Sequence, residues 1–263
     1  LLSRFPKLGI VIMLAADAIL FGVWPGVLIW GVQMIWIPFW AAGVINGLGH
    51  FWGYRNYNCA DASTNLLPWG ILIGGEELHN NHHSFATSAK LSVRWYEFDI
   101  GWMYIRALEL LGLAKVKKTI PTPRFCAVKA RADFDTLQAV ITHRYDVMTR
   151  YVKSLRAIAQ DEFAALKAQS GDTLTVRELR RWLVADEGQL CATERERRAS
   201  VLQDNKRLET VVAMRDELTA LWARSSASRE QLLQQLQDWI ARAEQSGIRQ
   251  LEEFSLRLRR YAV

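Results

Sequence analysis

The chain of 263 residues could form one large domain or two smaller ones. Its composition divides it in two: no charged residue lies between Asp17 and Arg55, whereas the chain after Pro123 is charged and free of proline. The net charge of +6 divides into +2 over residues 1–120 and +4 over 121–263, so neither part is a basic arm and nothing in the charge indicates a nucleic-acid partner. Three scattered cysteines without a C-x-x-C pair argue against a zinc ribbon and against a disulfide framework.

The first predicted elements are two membrane helices, over residues 8–24 and 27–49. At ~1.5 Å rise per residue each apolar run covers roughly 25–35 Å, against a hydrocarbon core of about 30 Å. Pro25-Gly26 predicts a turn between them and therefore a hairpin with both ends on one side. A buried hairpin of a soluble protein is the alternative, but 37 consecutive uncharged residues are hard to cover in so short a chain. Basic residues flank the hairpin and predict cytoplasmic ends: Arg4, Lys7 and Arg55.

A histidine cluster follows the hairpin. Four of the five histidines fall within 34 residues, with His50 upstream of the stretch G-E-E-L-H-N-N-H-H. On a helix, His79 shares a face with His82 or with His83, so one metal ion or two neighbouring ions could be bound. Nitrogen ligands with little sulfur favour zinc, iron, copper or nickel, and the residues alone do not choose among them. His143 stands apart at the edge of an apolar stripe and is predicted to be a packing residue.

The predicted cytosolic region, residues 50–118, also carries candidate supporting side chains. Glu76 and Glu77 are predicted to accept hydrogen bonds from imidazole N–H groups and so to fix the ligand tautomers. Gly74 and Gly75 allow the backbone to pack closely there. The competing interpretation is a polar loop on a cytoplasmic surface.

The C-terminal part, residues 121–263, is predicted to be a soluble bundle of three or four antiparallel helices. Its apolar residues recur at helical spacing. Thr175-x-x-Glu178 and Ser228-x-x-Gln231 are capping boxes, which predict where two of the helices begin.

The motifs resemble the last third of the membrane fatty acid desaturase core. N-G-L-G-H-F-W-G-Y-R (46–55) and G-G-E-E-L-H-N-N-H-H-S-F (74–85) are similar to N-x-x-x-H-x-x-G-Y-R and G-E-x-x-H-x-x-H-H of bacterial Δ9 enzymes related to stearoyl-CoA desaturases. A block at 89–99 and an amphipathic stretch at 102–113 are similar too, so the resemblance covers about residues 1–118. The C-terminal bundle resembles an extension found in some bacterial members.

The resemblance implies an all-α fold, with a membrane helical hairpin, a cytosolic helical cap carrying the histidine site, and the soluble bundle. It implies a di-iron acyl desaturase that uses O₂ and two electrons to introduce a cis double bond, of Δ9 type, into a saturated acyl chain. Asn46 matches a residue that reaches an iron through water. The matched iron ligands are His50, His79, His82 and His83.

Implied partners are an acyl-CoA, acyl-carrier or phospholipid acyl chain, an electron donor such as a ferredoxin or reductase, and membrane lipid, with no nucleic acid. The expected location is the cytoplasmic membrane, with the site and the C-terminal bundle facing the cytoplasm. The bundle is expected to dock the electron donor or to contact the membrane surface.

One departure from the family pattern is serious, because no histidine precedes His50 and the family needs two earlier histidine boxes. We therefore expect a C-terminal fragment, inactive in isolation, whose upstream sequence encodes those boxes and two more membrane helices. A degenerate non-enzyme is the alternative to a fragment. Two functional alternatives also stay open: a related di-iron hydroxylase or ketolase, and a non-catalytic membrane-anchored helical scaffold.

Overall fold

The computed structural model describes residues 7–59, 61–170, 175–185, 187–223 and 227–263. It is mostly helical with a few two-residue strands, which confirms the all-α fold class. By its internal contacts the chain forms two compact units, Leu1–Ile120 and Pro121–Val263. The first unit contains α1 (Leu8–Phe21), α2 (Val23–Pro38), a π-helical segment (Phe39–Leu48), β1 (Trp69–Gly70), α3 (His79–Ser84), β2 (Phe98–Asp99) and α4 (Ile100–Leu110).

Helices α1 and α2 form an antiparallel hairpin that reverses at Gly22, whose φ of +85° favours glycine. The Trp30 indole N–H donates to the Ile10 carbonyl across the hairpin at 3.2 Å. A Cβ on Gly26 would lie 2.6 Å from the α1 backbone, so the two helices are in close contact there. The predicted turn at Pro25-Gly26 is wrong, because Pro25 lies in the first turn of α2, where a missing N–H leaves no hydrogen bond unmade.

Among the described residues, one helix is long and apolar enough to cross a membrane. It runs from Val23 to Leu48, through α2 and the π-helical segment, with a mean hydropathy of 1.7. Only 6% of the most apolar 18-residue stretch of this helix is buried by protein, which disfavours the alternative of a buried hairpin in a soluble protein. Helix α1, which lies within the predicted span 8–24, is shorter: its 14 residues rise ~21 Å, against the roughly 30 Å hydrocarbon core, and its crossing of a membrane stays a prediction.

The region between this hairpin and α4 consists mainly of loops, whereas a helical cap was expected. Its regular elements are the short α3 and a two-residue parallel pairing of β1 with β2. Gly75, with φ +104°, permits a close approach of the backbone to Asp99: a Cβ there would lie 2.6 Å from Asp99 Oδ1. Asp99 also accepts from the backbone N–H of Trp102 and caps α4. Loops prevail because buried polar side chains, described below, bind the backbone in place of helical hydrogen bonds.

The second unit has more helices than the three or four predicted. The apolar residues on either side of His143 belong to two helices, because the chain bends at His143, which adopts φ −101° and ψ 24° at the end of the first of them. The described part of this unit contains β3 (Arg124–Phe125), α5 (Phe134–Thr142), α6 (Arg144–Ser170), α7 (Val176–Val184), α8 (Ala192–Asp204), α9 (Lys206–Ala223), α10 (Arg229–Gln245), α11 (Arg249–Leu258) and β4 (Tyr261–Ala262).

These helices enclose one large apolar core to which α5, α6, α7, α9, α10 and α11 contribute. Tyr151 and Trp239 are buried in it with their polar atoms bonded, to the Val211 carbonyl at 2.7 Å and the Met214 carbonyl at 2.8 Å. Both predicted capping boxes are confirmed, at the starts of α7 and α10. His143 is buried beside Tyr261, which agrees with its predicted packing role.

Candidate metal centre

Three histidines converge in the first unit. One possible ligand atom from each of His50, His79 and His83 lies within 4.8 Å of the other two. Their ring centroids are 4.9 Å apart for His50 and His79, 5.2 Å for His50 and His83, and 4.2 Å for His79 and His83. His79 and His83 share a face of α3 because they are one turn apart, and the turn that follows the π-helical segment brings His50 to them.

His79 is the most buried member of this cluster, with 3% of its surface exposed. Neither of its ring nitrogens has a hydrogen-bond partner. A Cβ on Gly49 would lie 3.1 Å from His79 Cδ2, so only glycine gives the ring this space without crowding it. Burial, followed by the neighbouring histidines, lowers the pKa of His79 to about 4. The ring is therefore neutral at pH 7 and has an unused lone pair, as a metal ligand requires.

The backbone orients His50. Its Nδ1 lies 2.9 Å from the Asn46 carbonyl, which can only accept, so Nδ1 carries the proton and Nε2 is free. The Asn46 side chain is exposed and donates to the Ala41 carbonyl at 2.9 Å. The structure thus gives Asn46 a role through its carbonyl, and its predicted contact through water stays a prediction.

A carboxylate that the sequence interpretation did not include orients His83. Asp61 Oδ2 lies 2.8 Å from His83 Nδ1. Burial would raise the pKa of Asp61, but hydrogen bonds from Ser63, Cys59 and His83 outweigh it and hold that pKa below its usual range. Asp61 is therefore ionised at neutral pH, beside a ring nitrogen that can donate to it.

The remaining predicted site residues lie outside the three-histidine cluster. His82 projects from α3 with its ring centroid 6.4 Å from that of His79 and its Nε2 4.0 Å from Glu76 Oε2. Glu77 is buried and accepts from the backbone N–H groups of Leu72 and Ile73. It fastens a loop and, within the described part of the chain, makes no hydrogen bond to a histidine.

Buried polar side chains hold α3 in place below the cluster. Asn80 Oδ1 accepts from the backbone N–H groups of Asn56 and Tyr57, each at 2.9 Å. Asn81 donates to the Leu91 carbonyl at 2.9 Å and to Glu97 at 3.1 Å. These bonds join residues that are 10 to 24 positions apart, so they fix α3 against the loops on both sides of it.

The donor set fits a metal ion. The candidate ligand atoms of the three histidines lie up to 4.8 Å apart. Two nitrogens that are each about 2.1 Å from one tetrahedral ion are roughly 3.4 Å apart, so the three rings would have to move slightly toward one another to bind a single ion. Two unpartnered nitrogens on a buried ring are unusual in a protein interior, and binding of a cation to one of them would explain that arrangement. Three imidazoles suit iron, zinc, copper or nickel.

Sequence reasoning missed Asp61 and the polar network. Asp61-Ala-Ser63 has the spacing of an Asx-turn, in which an aspartate binds the backbone two residues on, and the structure contains that bond at 2.9 Å. The turn was therefore detectable in the sequence. The contact of Asp61 with His83, 22 positions away, was not.

Comparison with curated proteins shows that part of the chain resembles fatty acid desaturases. It is 40% identical over 88 residues to an sn-1 stearoyl-lipid 9-desaturase of Anabaena variabilis, covering 33% of this chain and 32% of that protein. It is 38% identical over 103 residues to an sn-2 palmitoyl-lipid 9-desaturase of Nostoc sp. (strain 36), covering 39% of this chain and 35% of that protein. It is 41% identical over 101 residues to an acyl-CoA C20 Delta5-desaturase of Anemone leveillei, covering 38% and 32%. The chain spans about a third of the length of these relatives.

The C-terminal unit resembles a different family. Residues 134–263 match a family model described as a transposase. This match differs from the bacterial desaturase extension that the sequence interpretation suggested. No solved structure gives a significant match to the chain.

Proposed function

We propose that residues 1–120 supply part of a di-iron, O₂-dependent fatty acyl desaturase of Δ9 type. The observation that carries this proposal is the buried His79 ring, whose two unpartnered nitrogens lie among His50 and His83. The names of the relatives support an acyl-lipid desaturase, and two of the three described above are named 9-desaturases. Because the chain spans about a third of those relatives, we propose that it provides only some of the iron ligands.

The bound irons would supply the oxidising chemistry that removes hydrogen from the acyl chain. His50, His79 and His83 would hold metal through ring nitrogens. His82 would serve a neighbouring metal position, since its ring points away from the cluster toward Glu76. The bonded asparagines below α3 would keep the ligands in position and keep water from the buried side of the site.

We also propose that the first unit is bound to the cytoplasmic membrane with its histidines on the cytoplasmic side. The apolar helix Val23–Leu48 supports a membrane location, and the basic residues that flank the hairpin support the orientation. Exposed apolar side chains on and after α4 support contact with lipid, among them Leu110, Leu111 and Leu113, which are 82%, 71% and 74% exposed. An acyl chain from such a lipid, acyl-CoA or acyl carrier would be the substrate, with a ferredoxin or reductase as donor.

A separate role for the C-terminal unit is supported by its match to a transposase family. We propose that Pro121–Val263 is a self-contained helical module that contributes no metal ligand, and docking of an electron donor remains the alternative. Residues 121–263 expressed alone should fold without metal, because their apolar faces bury one another in a large core with a smaller cluster beside it. A chain lacking this unit should bind metal as the whole chain does, and loss of binding would contradict the separation.

The metal centre is tested by anaerobic Fe²⁺ titration of the whole chain in detergent micelles, with bound iron measured by mass spectrometry. The wild type should bind iron, and His79→Ala should abolish binding because it removes the central ligand. His143→Ala is the matched control, since that histidine is buried in the other unit. Equal loss in both variants, or no iron in the wild type, would contradict the proposed centre.

The reaction is tested by lipid analysis of cells that produce this chain joined to the desaturase segment that supplies the remaining iron ligands, because this chain alone is expected to be inactive. A new double bond at C9 that disappears with His79→Ala would support Δ9 desaturation. Hydroxylated acyl chains would favour the hydroxylase alternative. Bound iron with unchanged lipids in such cells, when a ferredoxin and its reductase are also supplied, would contradict the proposed desaturase.

A further inference from the structure

The Asp61 carboxylate joins a loop to a ligand of the candidate metal centre. Its Oδ2 lies 2.8 Å from His83 Nδ1. Its Oδ1 accepts the Ser63 backbone N–H at 2.9 Å, the Ser63 hydroxyl at 2.5 Å and the Cys59 thiol at 3.1 Å. The loop-side bonds hold the carboxylate still, and the other oxygen remains available to the imidazole.

The geometry determines which group donates. An ionised carboxylate has no proton and can only accept, so His83 Nδ1 must carry the hydrogen. In a neutral imidazole the second nitrogen, Nε2, then bears the lone pair. His50 is arranged in the same way through the Asn46 carbonyl. Two of the three clustered histidines are therefore held in the tautomer that leaves Nε2 free.

The loop that carries Asp61 has other attachments to α3. Asn80 Nδ2 donates to the Tyr57 carbonyl at 3.1 Å and to Cys59 Sγ at 3.2 Å. Arg55 also holds the loop, donating to the Cys59 carbonyl at 2.8 Å. The loop can therefore keep its place when the Asp61 charge is removed, which makes an effect on His83 separable from an effect on folding.

We propose that Asp61 is a positioning residue of the metal centre, which sets the tautomer and the ring orientation of His83 through the Nδ1 hydrogen bond and so presents Nε2 to the metal. This inference rests on the proposed function, since it assumes that His83 is a ligand. A carboxylate in this position also raises the basicity of the imidazole. Asp61 does not contact the metal itself in this arrangement.

The first test is a Co²⁺ titration of the whole chain in micelles, followed by visible absorption. Asp61→Asn should weaken Co²⁺ binding roughly 10–100-fold and shift the d–d bands, because the ring is held less firmly and the imidazole is less basic. Ser63→Ala is the comparison variant. It removes a bond on the loop side of the same carboxylate and should weaken binding much less. Equal weakening by both variants with an unshifted spectrum would mean that Asp61 only anchors the loop, and would overturn the proposal.

The second test needs no metal. In metal-free chain labelled with ¹⁵N-histidine, the ring nitrogens of His83 should report an Nδ1–H tautomer, and Asp61→Ala should move it toward Nε2–H. An Nε2–H tautomer of His83 in the wild type would overturn the role of Asp61 even if Co²⁺ binds normally. Failure of the wild type to bind Co²⁺ would instead contradict the metal centre itself. The two tests therefore distinguish a failure of the proposed role of Asp61 from a failure of the proposed function.

Discussion

Replacing Glu97 by glutamine should loosen the histidine-bearing loops without touching a histidine. The Glu97 carboxylate is buried, with 8% of the residue exposed, and it accepts five hydrogen bonds of 3.1 Å or less. Glutamine has nearly the same shape, but one of its two terminal groups can only donate. The donors of these five bonds are Tyr54 Oη, Asn56 Nδ2, Asn81 Nδ2 and the backbone N–H groups of Val93 and Arg94, and Asn65 Nδ2 donates more weakly at 3.5 Å.

The expected loss follows from where the glutamine NH₂ can go. At the Oε2 position it would face three donors, and at the Oε1 position it would face the Tyr54 hydroxyl, the Asn56 amide and, at 3.5 Å, the Asn65 amide. The hydroxyl can rotate to accept, so Oε1 is the better position, yet the Asn56 amide still loses one of its two acceptors and keeps only Asn81 Oδ1. The variant loses this charge-assisted hydrogen bond, and the remaining hydrogen bonds are made to a neutral acceptor instead of a carboxylate. Together these changes should destabilise the region by about 3 kcal/mol. That free energy corresponds to a roughly 100-fold change in an opening equilibrium.

Hydrogen–deuterium exchange of the whole chain measures this opening directly. The amides of Val93 and Arg94 should exchange roughly 100-fold faster in Glu97→Gln, because they exchange when the loop opens. Glu109→Gln is the control. Glu109 forms an ion pair with the exposed Arg106, and such pairs contribute about 0–1 kcal/mol; its Oε1 also accepts the Val116 backbone N–H, a bond that a glutamine oxygen can keep. Unchanged protection in Glu97→Gln, or equal loss in the control, would refute the view that this carboxylate organises the loops.

Three further predictions concern single positions. Gly75→Ala should destabilise the first unit by about 1–3 kcal/mol and weaken Co²⁺ binding, because φ is +104° and the new Cβ would lie 2.6 Å from Asp99 Oδ1. Thermal stability and Co²⁺ affinity equal to those of the wild type would contradict this. Burial lowers the pKa of His143 below its ordinary 6.5, so the contribution of its neutral ring to stability is complete above about pH 6.5 and is lost as the pH falls. Urea unfolding of residues 121–263 between about pH 7.5 and 5.5 should show this decline in the free energy of unfolding. The decline should be smaller in His143→Gln. Ser228→Ala should lower the free energy of unfolding of the same fragment by about 1 kcal/mol, because the Gln231 backbone N–H loses its acceptor, and an unchanged urea midpoint would contradict the capping role.

Local signals in the sequence were sufficient for several elements. The starts of α7 and α10 were predicted because a capping box is contained in four consecutive residues. Helical spacing predicted that His79 shares a face with His82 or with His83, and in the structure His83 is the nearer, with ring centroids 4.2 Å apart against 6.4 Å for His82. The hairpin was predicted from its two apolar runs, but its turn was misplaced, because Pro25 reads as a turn signal although it is equally compatible with the first turn of a helix.

The rest of the site depends on contacts between residues distant in sequence. His50 meets His79 only because the intervening loop closes through bonds such as that between Asn56 and Asn80, 24 positions apart. The partner of His83 was sought in the nearby glutamates, while the structure supplies Asp61 from an earlier loop. Such pairings follow from the path of irregular backbone, for which the sequence has no periodic signal.

The pairing of β3 with β4 brings the two ends of the C-terminal unit side by side, with Arg124 opposite Ala262 and Phe125 opposite Tyr261. A folded module whose ends are neighbours can be joined to a host chain at one point, and it can be removed or transplanted without stretching its surroundings. It should also tolerate circular permutation, with the original ends linked by a short peptide and new ends opened in an exposed loop. In evolutionary terms, such a module can be gained by a neighbouring gene as one piece, and its own fold does not require that gene's active site.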